Sequence, residues 1–254
     1  MDFGRTAKDY AAHRTEYPDR LFEQLQSFGV RFDGQTVLDL GTGTGNLARG
    51  FARRGAKVTG LDASEALMEE AKRLDAEAGV DVAYVKGDAE RMSMPPDTDF
   101  DVVSAGDAWG WFERHKAMRE TRRMLKPGGW LVFAQFDALP LRENPVEATE
   151  KLLEKYNPEW SHGGGTGLHP EWMTDVRHAG FRAVQTFSFD VDVSFSHREW
   201  RGFVRASPGV KASLAPDEAA RFDEKLRSKL AESFPEPLAV PFCCWTMVAQ
   251  APQA

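Results

Sequence analysis

Short apolar runs alternate with amphipathic segments along the first half of the chain. Five of these runs predict buried strands, at 36–40, 57–62, 82–86, 100–105 and 130–134. Between two of them, the segment 65–78 carries apolar residues at helical spacing. Continuous apolar strands separated by amphipathic helices are typical of a parallel sheet that is covered on both faces. The first half therefore predicts an α/β fold.

The pattern becomes less regular after residue 136. The segment 137–168 is rich in proline and glycine, and 187–193 alternates apolar and polar residues like a strand with one solvent-facing side. Helices are predicted to begin after Ser196 and at Pro216, and 242–249 predicts a closing buried strand. These helices would be an insertion between the last two strands rather than a second independent domain.

Composition excludes several classes of protein. The chain has 254 residues, with 42% hydrophobic and 28% charged, and a formal net charge of −7. An acidic chain is a poor general binder of phosphate backbones, so we do not expect a nucleic-acid partner. No apolar window approaches the roughly 20 residues that span a bilayer, and no signal peptide is visible at the start. Cys243 and Cys244 have neither disulfide nor metal-ligand spacing, which is typical of a cytoplasmic protein without a metal.

A glycine cluster follows the first predicted strand. Gly41, Gly43 and Gly45 stand between that strand and a predicted helix, where missing side chains let a ligand approach the backbone. Exposed amides at the start of a helix favour an anion or a carboxylate. Asp62 ends the second strand 21 residues after Gly41, where a carboxylate can accept hydrogen bonds from ribose hydroxyls. The pattern predicts a nucleotide site.

Two cofactor classes use this arrangement. Dinucleotide enzymes carry G-x-G-x-x-G, whose last glycine would fall at Asn46, and Gly45 comes one residue too early for it. Asp39, within the first strand, is not part of that fingerprint either. An NAD-type oxidoreductase is therefore disfavoured, but it stays as an alternative.

Several motifs together resemble class I S-adenosylmethionine-dependent methyltransferases. The motifs that carry this resemblance lie, in order, at 39–45, 62–64, 87–90, 100–103, 107–109 and 125–129. Their order and spacing are similar to those of the family over roughly residues 1–136. The small-molecule group that includes ubiquinone-biosynthesis and trans-aconitate methyltransferases is the most similar, because Tyr10, Arg14, Tyr17 and Pro18 resemble its N-terminal segment.

The resemblance implies a fold and a domain plan. The expected fold is a Rossmann-like three-layer sandwich with a mostly parallel seven-stranded sheet, an antiparallel last strand and helical insertions in the C-terminal half. Residues 1–254 would form one methyltransferase domain. It would comprise a cap segment at 1–30, a cofactor-binding half at 31–136 and a substrate-shaping half at 137–254, with insertions at 137–168 and 190–240.

The resemblance also implies the residues that bind S-adenosylmethionine. Gly41 and Gly43 would face its methionine part, Asp39 would orient the loop or the amino group, and Asp62 would hold the ribose. Asp88 and Ala89 would bind the adenine, and Arg14 the carboxylate. The full expected set is Tyr10, Arg14, Asp39, Gly41, Thr42, Gly43, Asp62, Ala63, Asp88, Ala89 and Ala105.

Methyl transfer from a sulfonium is an in-line displacement, so alignment and water exclusion are the main tasks of the protein. Aromatic faces favour the sulfonium charge, and the aromatic residues expected at the substrate are Tyr17, Trp109, Trp111 and Phe112.

Many relatives have a histidine where this chain has Gly110, so the resemblance does not identify the catalytic residue. The candidates are Asp107, His115 and His169. A non-catalytic cofactor-binding protein of the same fold also stays as an alternative. The sequence names neither the acceptor atom, the pathway nor the oligomeric state.

Overall fold

A computed structural model describes residues 7–95, 98–160, 163–207, 209–210 and 213–253, without the side chains of Asp9 and Tyr10. Its helices are α1 (Ala7–His13), α2 (Asp19–Ser27), α3 (Asn46–Ala52), α4 (Glu65–Ala78), α5 (Arg114–Met124), α6 (Pro145–Tyr156), α7 (Trp172–His178), α8 (His197–Ala206) and α9 (Pro216–Ser233). Its strands are β1 (Thr36–Leu40), β2 (Lys57–Asp62), β3 (Val82–Lys86), β4 (Phe100–Gly106), β5 (Leu125–Ala138), β6 (Arg182–Phe195) and β7 (Leu238–Gln250). Within these residues, no helix has both the length and the apolarity needed to cross a membrane.

Local signals set the ends of several helices. Ser64 precedes α4 and accepts a hydrogen bond from the Leu67 amide, and Gly79 ends that helix in the left-handed conformation. Ser196 and Glu199 form a reciprocal capping box at the start of α8. Pro216 occupies the first turn of α9, where its missing N–H costs nothing. These positions agree with the sequence pattern.

The seven strands form one sheet in the order β3-β2-β1-β4-β5-β7-β6. β1 pairs in parallel with β2 on one side and with β4 on the other, and β2–β3 and β4–β5 are parallel as well. Strand order reverses between β1 and β4. Ligands of open α/β sheets bind outside the carboxyl ends of the strands at such a switch point.

The pairing of β5 with β7 is antiparallel. The amide of Gly128 donates to the carbonyl of Pro252, Ala251 donates to Gly129, and Leu139 donates to Pro241. As residue numbers rise along β5, those of their partners fall along β7. The predicted fold class is therefore confirmed, including the antiparallel last strand and the helices inserted before it.

The structure corrects the bounds of the last three strands, because β5, β6 and β7 each begin four or five residues earlier than the pattern predicts. For β5, the sequence predicts a strand at 130–134, whereas the strand begins at Leu125. Leu125 pairs with Phe100, and a register shift between Phe100 and Val102 accommodates the extra residues. Gly128 has φ +73°, so glycine allows the strand to continue past Pro127.

The chain divides into two compact units. The larger unit consists of Glu16–Gln135, His169–Ser188 and Cys244–Ala254. In it, the rings of Phe22, Phe32 and Phe51 meet edge to face, with centroids 5.5 to 6.1 Å apart. All three rings are buried, so they form an aromatic part of its core.

The smaller unit consists of Met1–Thr15, Phe136–Leu168 and Phe189–Cys243. Trp200 is buried in it and stacks on Phe203, with centroids 5.3 Å apart. The indole Nε1 of Trp200 donates to Thr149 Oγ1 at 3.0 Å, which satisfies a polar atom that burial would otherwise leave unpaired.

Candidate functional site

The glycine loop connects β1 to α3 in the larger unit. Gly41, Gly43 and Gly45 have φ values of +61°, +56° and +75°, a conformation that favours glycine. A Cβ at Gly41 would lie 2.8 Å from Ala108 Cβ and 2.9 Å from Phe112 Cζ. Gly41 is therefore required by both backbone conformation and space.

Gly43 is different because its surroundings are open. A Cβ built there would have Gly41 O, at 4.0 Å, as its nearest neighbour. The backbone edge at Gly43 thus faces space rather than protein. This geometry fits a ligand that lies directly on the loop.

Asp62 connects the glycine loop to the start of α4. Its Oδ2 accepts from the Gly43 amide and its Oδ1 from the Ser64 amide, each at 2.8 Å. A carboxylate oxygen has two lone pairs, so both oxygens retain capacity for a further donor such as a ribose hydroxyl. Burial raises the pKa of Asp62, while the Ser64 and Gly43 amides oppose that effect.

Asp39 lies in β1 directly below the loop and is buried. Its Oδ1 accepts a hydrogen bond of 2.7 Å from the Ser104 hydroxyl of β4. Burial raises the pKa of Asp39 to about 6, and the bond from Ser104 opposes the shift. A carboxylate retained at this depth supports a role in setting the charge around the loop.

The segment after β3 lies against the end of β2. The Gly87 amide donates to the Asp62 carbonyl at 3.0 Å. Asp88 is exposed and accepts from the Glu90 amide at 2.8 Å, while Ala89 is buried. Ala63, which follows Asp62, is exposed. The structure therefore brings the predicted ribose and adenine residues to neighbouring strand ends.

The end of β4 carries a strained residue. Asp107 has φ +53° although it is not glycine, and its amide donates to the Ala134 carbonyl at 2.9 Å. Ala105, two residues earlier, is buried. The Tyr17 hydroxyl donates to the same Ala134 carbonyl at 3.3 Å. Two predicted site residues, Tyr17 and Asp107, thus share one backbone acceptor.

The three aromatic residues after β4 have different environments. Trp109 is fully buried and stacks on Phe133, with centroids 4.1 Å apart. Phe112 lies against Gly41, and Trp111 is 40% exposed. The structure places Trp109 in the core, Phe112 at the loop and Trp111 at the surface.

The two candidate histidines lie on other elements. His169 precedes α7 and stacks on Trp172, with ring centroids 4.5 Å apart. Its Nδ1 is 3.6 Å from Glu171 Oε1. His115 is exposed in the first turn of α5. Of the catalytic candidates, Asp107 is the one at the end of β4.

The N-terminal candidates belong to the smaller unit. The Arg14 guanidinium lies 5.5 Å from the centroid of the Phe203 ring. The side chain of Tyr10 lies outside the described part of the chain. Among the described residues, no group of histidine, cysteine, aspartate or glutamate side chains could hold a metal ion.

The sequence reasoning missed a buried charged group under the loop. Arg49 of α3 and Asp75 of α4 are buried and paired, and the Tyr84 hydroxyl donates to Asp75. A signal was available: Asp75 follows the buried Ala71 by four residues, so it lies on the buried face of α4. A charged residue on such a face rarely occurs without a partner.

Comparison with known proteins agrees with this geometry. The family model described as "Methyltransferase domain" matches residues 38–133. Over these residues the chain is similar to methyltransferases. The resemblance expected from the motifs is confirmed, and the oxidoreductase alternative is not favoured.

Curated relatives include ubiquinone biosynthesis O-methyltransferases. That of Alkalilimnicola ehrlichii is 35% identical over 124 residues, which cover 48% of this chain and 50% of the relative. That of Pseudomonas putida is 36% identical over 152 residues, 58% of this chain and 66% of the relative. The chain spans about half the length of the first curated relatives that it matches.

A solved structure shares the fold at low identity. Haemonchus contortus phosphoethanolamine N-methyltransferase 2, in complex with S-adenosyl-L-methionine, matches with a TM-score of 0.57 and 18% identity. The match covers 98% of this chain and 57% of that one. At this identity the likeness is one of fold.

Proposed function

We propose that this chain binds S-adenosylmethionine and transfers its methyl group to a small-molecule acceptor. The observation that carries the proposal is the open backbone edge at Gly43, whose amide is held by the Asp62 carboxylate. Both residues belong to the matched methyltransferase domain. A bare loop beside a carboxylate suits a ligand with ribose hydroxyls.

The residues present fit this cofactor. Gly41 and Gly43 would lie along its methionine part, and Asp62 would accept from its ribose hydroxyls. Asp88 would accept from the adenine amino group and the Ala89 amide would donate to the ring. Arg14 and Tyr10 remain proposed partners of the methionine end. When bound, the cofactor supplies an activated methyl group on a positively charged sulfur.

Alignment and exclusion of water are then the work of the protein. Holding two reactants in a near-attack pose contributes roughly 7–11 kcal/mol to lowering a barrier. Phe112 lies against the loop, where it can shield the sulfonium from water. Asp107, which follows β4, would accept a proton from an acceptor hydroxyl or amine.

The curated relatives support a small molecule as acceptor, and the net charge of −7 argues against nucleic acid. We also propose a cytoplasmic setting, because Cys243 and Cys244 are buried, adjacent thiols that do not form a disulfide. Buried thiols behave as small, largely apolar groups and need no oxidising compartment.

Isothermal titration tests the cofactor site. The wild-type chain should bind S-adenosylmethionine and its demethylated product, S-adenosylhomocysteine, but not NAD⁺. Asp62→Asn should weaken binding of S-adenosylhomocysteine at least tenfold, since an amide is a weaker acceptor and disturbs the Gly43 bond. Asp81→Asn, an exposed carboxylate before β3, is the control and should bind like wild type.

Transfer of a labelled methyl group from S-adenosylmethionine to compounds of a metabolite extract tests catalysis. A labelled product that is absent when the Asp62→Asn chain is used supports the proposal. Tight binding of the cofactor without a labelled product would instead favour a non-catalytic cofactor-binding protein.

A further inference from the structure

A buried ion pair lies beneath the glycine loop. Arg49 is 3% exposed and Asp75 is 4% exposed, and Arg49 Nε lies 3.1 Å from Asp75 Oδ1. The Tyr84 hydroxyl of β3 donates to Asp75 Oδ2 at 2.7 Å. Three elements of the larger unit, α3, α4 and β3, therefore contribute to one buried polar group.

The same guanidinium holds the loop. Arg49 Nη2 and Nη1 donate to the Thr44 carbonyl at 2.6 and 3.2 Å. Thr44 lies between Gly43 and Gly45, so this carbonyl belongs to the loop that carries the open backbone edge. The Tyr84 hydroxyl fills the space that a Cβ at Gly45 would need. The polar group thus holds the Thr44 carbonyl by hydrogen bonds and packs against Gly45.

Stability alone is a poor reason to keep such a group. Removing two charges from water is costly, and well-packed apolar residues of similar volume often stabilise a protein as much or more. A loop with three glycines has few side chains of its own to hold its shape. A guanidinium with several donors, held in place by a carboxylate, can constrain the backbone of such a loop.

We propose that Arg49, oriented by Asp75 and Tyr84, is a positioning residue for the cofactor, because it fixes the Thr44 carbonyl and with it the direction of the neighbouring Gly43 backbone. The inference rests on the proposed function, since it names how this chain shapes the loop for its ligand. The guanidinium acts through the backbone and need not touch the ligand.

The first test uses Arg49→Lys. Lysine keeps the charge but is a point donor, so it cannot serve the Thr44 carbonyl and the Asp75 carboxylate with one rigid fork. We expect the dissociation constant of S-adenosylhomocysteine to rise at least tenfold. In methyl transfer, KM for S-adenosylmethionine should rise by a similar factor, with kcat changed less than threefold.

The second test separates positioning from stability. The triple variant Arg49→Met, Asp75→Leu, Tyr84→Phe replaces the whole polar group by apolar side chains. Its thermal midpoint should stay at or above that of wild type, while its affinity for S-adenosylhomocysteine falls at least tenfold. Met118→Ala, a buried position of α5, is the reverse control: it should lower the midpoint and leave affinity within threefold.

The possible results of these tests distinguish the positioning role from the alternatives. Arg49→Lys with wild-type affinity and a native circular dichroism spectrum would overturn the inference, whether or not the triple variant folds. Affinity that falls in proportion to thermal midpoint across all variants, Met118→Ala included, would also overturn it and leave a purely structural role. A wild-type chain that binds no S-adenosylhomocysteine would instead refute the proposed function.

Discussion

Two glycines with similar backbone conformations separate the folding role of glycine from its binding role. Gly43 has φ +56° and open space at its Cβ position, and Gly79 has φ +68° with nothing within 4 Å. Alanine at either position should destabilise the fold by about 1–2 kcal/mol, the cost of a left-handed conformation. Gly43→Ala should also weaken S-adenosylhomocysteine binding at least tenfold, because its methyl group occupies the face offered to the ligand.

The measurement pairs chemical denaturation with isothermal titration for both variants. Gly79 ends α4 and lies away from the glycine loop. The Gly79→Ala variant should therefore be less stable but retain its affinity for S-adenosylhomocysteine. Equal affinities for the two variants would remove Gly43 from the site.

Asp39 predicts a particular dependence of stability on pH. Its pKa is about 6 in the native state, compared with about 3.9 in an unfolded chain. Between about pH 4 and 6, Asp39 therefore keeps its proton in the native state but loses it in the unfolded chain. The stability that this group contributes is present below pH 4 and is lost as pH rises through 6.

Asp39→Asn removes this titration. Relative to wild type, the variant should gain stability as pH rises from 4 to 7.5, by up to roughly 3 kcal/mol. Urea denaturation of both chains at half-unit steps of pH measures the difference in the free energy of unfolding, in which the contributions of the groups common to both chains cancel. A difference that is constant with pH would show that Asp39 titrates normally.

The residue scale also shows what local pattern can and cannot predict. Gly41, Gly43 and Asp62 could be proposed from spacing alone, because a strand, a glycine turn and a following acid lie within 27 residues of sequence. Arg49 and Tyr84 could not be proposed from spacing. Their role depends on which helix face meets which strand, and that is decided by tertiary packing.

At the scale of elements, the segment after β4 combines three aromatic residues with different tasks. Trp109 is buried against Phe133, whereas Trp111 is 40% exposed in the same short helical turn, Trp109–Trp111. Trp109→Ala should therefore cost about 3–5 kcal/mol of the free energy of unfolding. Trp111→Ala should change it by less than about 0.5 kcal/mol.

Chemical denaturation of the two variants tests this assignment. The prediction from sequence placed both residues at the substrate, and a single sequence does not reveal which side of a short turn faces the core. A larger loss of stability for Trp111→Ala than for Trp109→Ala would reverse the two environments.

Strands were the most predictable elements, because buried parallel strands appear as short apolar runs. The start of β5 was missed since Pro127, Gly128 and Gly129 read locally as a turn. Pairing of Leu125 with Phe100 overrides that signal. On α4, Asp75 is buried whereas Leu74 is only half-buried. Apolar periodicity alone would place Leu74 on the buried face and Asp75 on the exposed one.

At the scale of the whole molecule, the fold followed from the alternation of strands and helices together with the motif resemblance. The strand order needs the resemblance, because periodicity does not say which strands are neighbours. The division into two compact units was not visible in the sequence, since each unit is assembled from three separate segments. Contacts between distant segments leave no local pattern.

The whole chain should also report ligand binding through its stability. A ligand that binds the native state at 100 times its dissociation constant adds about 2.7 kcal/mol to the free energy of unfolding. For a chain of this size, that corresponds to a rise of roughly 5–10 °C in Tm. S-adenosylhomocysteine should produce this shift in wild type, and NAD⁺ at the same concentration should produce none. In Gly43→Ala, a tenfold weaker affinity leaves about 1.4 kcal/mol at the same ligand concentration, so the shift should halve. Equal shifts in wild type and Gly43→Ala would mean that the ligand binds the chain away from the glycine loop.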